Sequence, residues 1–228
     1  MRFQFSKVDP LSLSKPSRTR ISLEITSVIG LLFACSWVAP CLSDNRDIVR
    51  IIMGAFSISA ALIGLAAAIY RRETLRELGL SLANFPRAFV KVAGPTLLLV
   101  AVLLVIGYYS DSLHFTEKKF RLRLSPWLWP IVQQYFVQSF LNRRWQELVG
   151  PGWRSVLLTA LVFCLLHFPN PALMVATLLA GAFWAWLFQR EPNLWALAIS
   201  HFVLAFVLKY SLPLALLPNI RAGWAYYR

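Results

Sequence analysis

At 228 residues, with 58% hydrophobic residues and a mean hydropathy of +0.59, the chain is more apolar than a soluble domain, which sits near 45–50% apolar. It reads as one integral membrane domain with no room for a separate soluble one. The net charge of +13 and pI near 10.3 come from Lys and Arg set between apolar runs. Loop basicity that orients a membrane protein explains them better than nucleic acid, which is set aside as a partner. Anionic lipid headgroups are the expected use of the charge.

Spanning takes roughly 20 apolar residues per helix, so the fold class is all-α, a polytopic bundle of about seven spans, or eight if the tail also enters the membrane. Residues 1–20 form a basic tail with Pro10 and Pro16, expected to be irregular. The first span runs over about 21–41; it lacks a small-x-small cleavage site, and Pro40 before Cys41 speaks against a lipoprotein. Glu24, at its start, is expected to stay hydrated at the interface. A polar turn leads to the second span, about 48–70, closed by Arg71 and Arg72. The next twenty residues mix Arg, Glu and Leu, and read equally as an interfacial amphipathic helix or as a solvated loop.

The third span covers about 92–109, followed by a polar loop whose His114 reads as an ordinary exposed histidine. Spans four to seven are expected at about 126–145, 153–168, 172–188 and 194–210. They form the core, 126–210, of a membrane domain covering 21–210. The tail, 211–228, is broken by Pro213 and Pro218 and rich in Trp224, Tyr226 and Tyr227, an interfacial composition. With the amino terminus in the cytoplasm, inner segments hold fourteen basic residues and outer segments nine. The balance favours that orientation in a bacterial-type cytoplasmic membrane.

Five polar side chains lie deep in these spans: Gln133, Gln134, Gln138, His167 and His201. Polar groups in a span point to function, because lipid cannot satisfy them. At 100° per residue the three glutamines share one helix face, and the histidines rise on neighbouring spans toward the same half of the membrane. One cavity lined by all five is the expectation. The bland readings are amide glue between helices and, for His167 beside Pro169, a span-end cap. Cys164 reads as a packing residue, and Cys35, Cys41 and Cys164 form no pairing pattern. No cofactor is expected; a zinc site of His167, His201 and Cys164 is a weak alternative, since it has no carboxylate. Gly181 and Ala185 read as a small-residue packing pair.

The stretch FCLLHFP, from Phe163 to Pro169, followed by Gly181 and by NLWALAISH up to His201, resembles the CPBP (CAAX protease and bacteriocin-processing, or Abi) intramembrane endopeptidases. That family carries a glutamate pair with an arginine four residues after the second, then Phe-x-x-x-His, then a second histidine motif. By this resemblance Gln133, Gln134, His167 and His201 take the catalytic positions, with Gln138, Phe163 and Ser200 as binding residues. Activity would be cleavage of a membrane-associated peptide or protein. Here the glutamates are Gln133 and Gln134, and the arginine is Gln138. An amide cannot take a proton from water, and a general base is worth about 10²–10⁴ in rate. Two readings therefore stand: an endopeptidase with a non-standard Gln-Gln site, or a silent relative that binds a membrane peptide or partner protein.

Overall fold

The computed structural model describes residues 16–113 and 124–227, the side chains of residues 124–127 excepted. His114 and most of the basic amino-terminal tail lie outside the described residues. Those described form helices and turns throughout. In order these are α1 (Arg18–Phe33), α2 (Arg46–Tyr70), α3 (Phe85–Tyr109), α4 (Leu124–Gln134), α5 (Arg143–Val149), α6 (Trp153–Leu165), α7 (Pro171–Arg190) and α8 (Leu194–Ser211). A π-helical segment, Tyr135–Asn142, joins α4 to α5 without a break. Among the described residues five helical segments are long and apolar enough to cross a membrane: Arg18–Cys41, α2, α3, α7 and α8. The remaining expected spans correspond to the composite rod from Leu124 to Val149 and to α6, only 13 residues long.

Helix ends follow local chemistry. Asn45, Asn170 and Asn193 cap α2, α7 and α8 through side-chain oxygens that accept backbone N–H groups, and Pro171 fits the first helical position, where no N–H is needed. Residues 71–84 form a turn-rich loop, not an interfacial helix, and α3 starts seven residues before the expected Val92. This loop pins the α7–α8 connection: Gly79 O accepts from Leu194 N at 2.7 Å, and Asn193 Nδ2 donates to Ser81 O and Asn84 Oδ1. Gly79 sits at φ +71°, where a Cβ would lie 2.6 Å from the Phe188 ring, so both conformation and space call for glycine.

Glu24 is not a hydrated interfacial carboxylate. Its side chain is 11% exposed and pairs with Arg71 at 2.8 Å and Arg144 at 3.5 Å. Arg144, fully buried, also meets Glu73 and Glu147, each at 2.6 Å, while Arg143 reaches Glu73 at 3.0 Å. Burial pushes the Glu73 carboxyl up, but the hydrogen bonds and charge of Arg144, with Arg143 beside it, more than offset that and hold it below its ordinary value. This ion cluster ties α1, the end of α2 and α5 together at one pole of the bundle.

At the other pole the carboxy-terminal segment folds back: Gly223 N donates to Phe168 O at 2.8 Å, and Asn170 Nδ2 donates to Asn219 O and Arg221 O. α7 packs mainly on α6 and α8 mainly on α3. Joined at the ion-cluster pole, α7 and α8 leave a space between them toward the opposite pole.

Candidate functional site

That space is a cavity of about 510 Å³, within the size range of small-molecule pockets. Leucine, alanine and aromatic side chains make most of its wall, with Gln133, His167, Thr177, His201 and Lys209 as polar members; among the described residues no carboxylate lines it. Its walls come from α3, α4, the turn after α6, α7, α8 and Ile220 of the carboxy-terminal segment.

His167 follows the last turn of α6. Its Nδ1 lies 2.8 Å from Phe163 O. A carbonyl oxygen only accepts, so Nδ1 carries hydrogen and, in the neutral ring, Nε2 carries the lone pair. Phe163, 2% exposed, sets its edge against both imidazoles, 4.9 Å from His167 and 5.9 Å from His201 between centroids. The approach of α7 depends on Gly181: a Cβ there would stand 3.0 Å from Phe163 Cδ1. The small-residue pair read from the sequence thus packs against the residue that spaces the two histidines.

His201 lies in the middle of α8, 8% exposed, with the Trp184 ring of α7 tilted over it at 4.9 Å. Trp184 is itself held by a directed chain. Its Nε1 donates to Ser200 Oγ at 3.1 Å, Ser200 Oγ meets Thr96 Oγ1 at 2.7 Å, and Thr96 donates to Val92 O at 2.7 Å. A hydroxyl has one hydrogen, and Thr96 gives its own to Val92. Ser200 must therefore donate to Thr96 and accept from Trp184.

The glutamines separate. Gln133 lines the cavity, whereas Gln134, 1% exposed, faces His201 with Nε2 at 3.5 Å from Nδ1. With the amide nitrogen on that side, Nδ1 accepts and the His201 hydrogen lies on Nε2; the reversed amide, which gives Gln134 Oε1 a donor, puts it on Nδ1. Gln138 is fully buried on the α6–α7 side, outside the cavity wall. Its Oε1 accepts from Asn142 at 3.0 Å; Asn142 also donates to Ala185 O, and Gln189 bridges Asn142 and Ser155 at 2.9 Å each. The π-helical winding between Gln134 and Gln138 changes the residues per turn, so the face on which an α-helix would align all three is divided. Gln134 Oε1 and Gln138 Nε2 have no hydrogen-bond partner among the described residues.

Cys164, half-buried, lies three residues before His167. Among the described residues no group of three or more His, Cys, Asp or Glu side chains gathers as a metal-ligand set. Sequence reasoning missed Trp184 and Thr96. An aromatic on an apolar helix and a threonine in a leucine-rich span both look like packing, and only the fold places them 16 and 104 residues from Ser200 in sequence yet in hydrogen-bond contact.

Together these elements place two imidazoles on the wall of one cavity, His167 with its lone pair on Nε2. Residues 120–207 match a family model described as type II CAAX prenyl endopeptidase, Rce1-like. The matched segment contains every motif position on which the CPBP resemblance rests and bears that resemblance out. No curated protein and no solved structure matches the chain.

Proposed function

We propose that this CAAX-protease-like membrane protein is an intramembrane endopeptidase whose two histidines replace the family's carboxylates. The observation that supports the reading is the pair of imidazoles on one apolar cavity, His167 with Nδ1 on the Phe163 carbonyl and His201 with Nδ1 beside the Gln134 amide. His167, with its lone pair on Nε2, takes a proton from a water molecule as that water's oxygen attacks the scissile carbonyl carbon. His201, with Gln134 donating to its Nδ1 and so with hydrogen on Nε2, donates to the oxyanion that forms. Loss of such a preorganised donor typically costs about 2.7–4 kcal/mol of barrier. When the tetrahedral species collapses, the C–N bond breaks and His167 returns its proton to the leaving amine. Gln134 orients His201, Gln133 lies on the wall where the peptide would rest, and Phe163 and Trp184 fix the imidazole planes. No metal enters this scheme. The substrate class is a membrane-associated peptide or protein.

A binding role is the second reading, favoured by Gln133 and Gln134, whose amides cannot serve as bases. The test is reconstitution of the purified protein, His167→Ala and His201→Ala in proteoliposomes with a library of apolar internally quenched peptides. The expected result is cleavage by the native protein, lost with His167→Ala and reduced with His201→Ala. Peptide binding with no cleavage by the native protein would sink the peptidase reading and leave the binding one.

A further inference from the structure

The cavity occupies one half of the bundle. His201 is seven residues, about 10 Å, from the start of α8 at the ion-cluster pole, and the cavity lining on α8 runs onward from His201 to Tyr210. On α7 the lining runs from Leu173 to Trp184, stopping short of the α8 connection. The cavity therefore stops short of the pole where α7 and α8 are joined and extends toward the other, where Ile220 of the folded-back carboxy-terminal segment joins its lining and the apolar walls between α7 and α8 continue to where lipid would lie.

The two poles differ in charge. Among the described residues, Arg18, Arg20, Arg71, Arg72, Arg76, Arg87, Lys91, Arg143, Arg144, Arg154 and Arg190 fall at the ion-cluster pole, against Arg46, Arg50, Lys209 and Arg221 at the cavity pole. Along the whole sequence the division is fourteen to nine. Counted as Lys and Arg near span ends, this bias marks the ion-cluster pole as cytoplasmic. The cavity pole carries an aromatic fringe of Tyr108, Tyr109, Trp129, Trp224 and Tyr227, all exposed, as expected at a membrane interface. Lys209, exposed beside Tyr210 and without an ion pair among the described residues, stands at the mouth of a wall to which no described acid contributes.

We infer that the site opens to the non-cytoplasmic leaflet, through the space between α7 and α8, and receives an apolar segment of a translocated, membrane-anchored polypeptide. This rests on the peptidase reading for the chemistry, but not for the face. A chain entering from that side meets Lys209 first and the two histidines at the bottom, so the segment beside its cleaved bond is neutral or anionic. A cytoplasmic substrate would have to pass the ion cluster and the loop that pins the α7–α8 connection.

Two measurements separate the inference from the reading beneath it. In a background with Cys35, Cys41 and Cys164 replaced by alanine, Lys209→Cys and Arg154→Cys are treated with a membrane-impermeant maleimide in spheroplasts and in inside-out vesicles. Labelling of Lys209→Cys in spheroplasts, with Arg154→Cys labelled only in inside-out vesicles, is expected. The reverse pattern places the mouth on the cytoplasmic side and overturns the inference; a Lys209→Cys thiol that reacts on neither side overturns the open mouth. The second measurement coexpresses single-span reporters carrying one apolar test segment at the non-cytoplasmic or at the cytoplasmic end. Cleavage of the first alone is expected, and cleavage of the second alone contradicts the proposal. Cleavage of neither, with the labelling as expected, removes the peptidase reading and its substrate while the face stands.

Discussion

Replacing Glu73 with glutamine should destabilise the protein by about 3 kcal/mol, near the lower end of the roughly 3–5 kcal/mol lost when one partner of a buried ion pair is removed. Glu73 is 3% exposed and Arg144 fully buried, and the carboxylate accepts from Arg144 at 2.6 and 3.1 Å and from Arg143 at 3.0 Å. The amide in Glu73→Gln accepts through one oxygen and brings no charge, leaving Arg144 with Glu147 at 2.6 Å and Glu24 at 3.5 Å. Those two carboxylates are why the lower end applies. The assay is thermal inactivation of purified protein in detergent, scored as loss of the monodisperse peak, with Asp47→Asn as control. Asp47 pairs with Arg50 at the surface, 81% and 75% exposed, where a pair is worth about 0–1 kcal/mol. A Glu73→Gln protein as durable as Asp47→Asn would refute the argument that the cluster holds α1, α2 and α5 together. The same pair carries a pH dependence. Since the folded carboxyl titrates below its ordinary value of 4.5, its contribution is complete above that value and is lost as pH falls through the lower folded one. Native protein should thus lose stability on acidification in that window more steeply than Glu73→Gln.

His167→Ala should lower cleavage by about 10²–10⁴ with peptide binding retained, the range expected for a general base; single-turnover assays in proteoliposomes read both. Gly181→Ala pushes a methyl group to 3.0 Å from the Phe163 ring, so turnover should fall while the helix content seen by circular dichroism does not change. Ser200→Ala removes the acceptor for Trp184 Nε1, and a buried donor left alone costs about 1–3 kcal/mol; reduced thermal stability and altered tryptophan fluorescence are expected. A strong divalent-metal chelator should leave cleavage unchanged, and inhibition reversed by added zinc would contradict the histidine-base scheme.

Hydropathy made most of the fold legible, because lipid demands a long apolar run from each spanning helix. α2, α7 and α8 begin and end within a few residues of the expected positions. The composite rod was harder to read. Nothing in QQYFVQSFLNRRW announces π-helical winding, so Gln138 was assigned the same face as Gln133 and Gln134, and it lies instead with Asn142 and Gln189. Glu24 looked hydrated because, beyond the half-exposed Arg20 four residues before it, the partners that bury it, Arg71 and Arg144, are 47 and 120 residues away in sequence; no local pattern encodes those pairings. Phe163 and His167 were visible because they lie four residues apart, and His201 because a histidine in mid-span is costly in lipid, whereas the Trp184–Ser200–Thr96 chain joins three helices and needs the fold.

The ion cluster also sets a limit on dissecting the protein. Arg143, Arg144 and Glu147 belong to the family-matched stretch 120–207, but Glu24, Arg71 and Glu73 come from before it. Cut away from α1 and α2, the matched stretch would keep Arg144 with Glu147 as its only one of three carboxylates, two guanidinium groups sharing a single counter-charge at what had been a dry contact. The first third of the chain is thus the electrostatic complement of the segment that bears the histidines. A graft of residues 120–207 alone onto another scaffold would need a substitute for Glu24 and Glu73 before it folds.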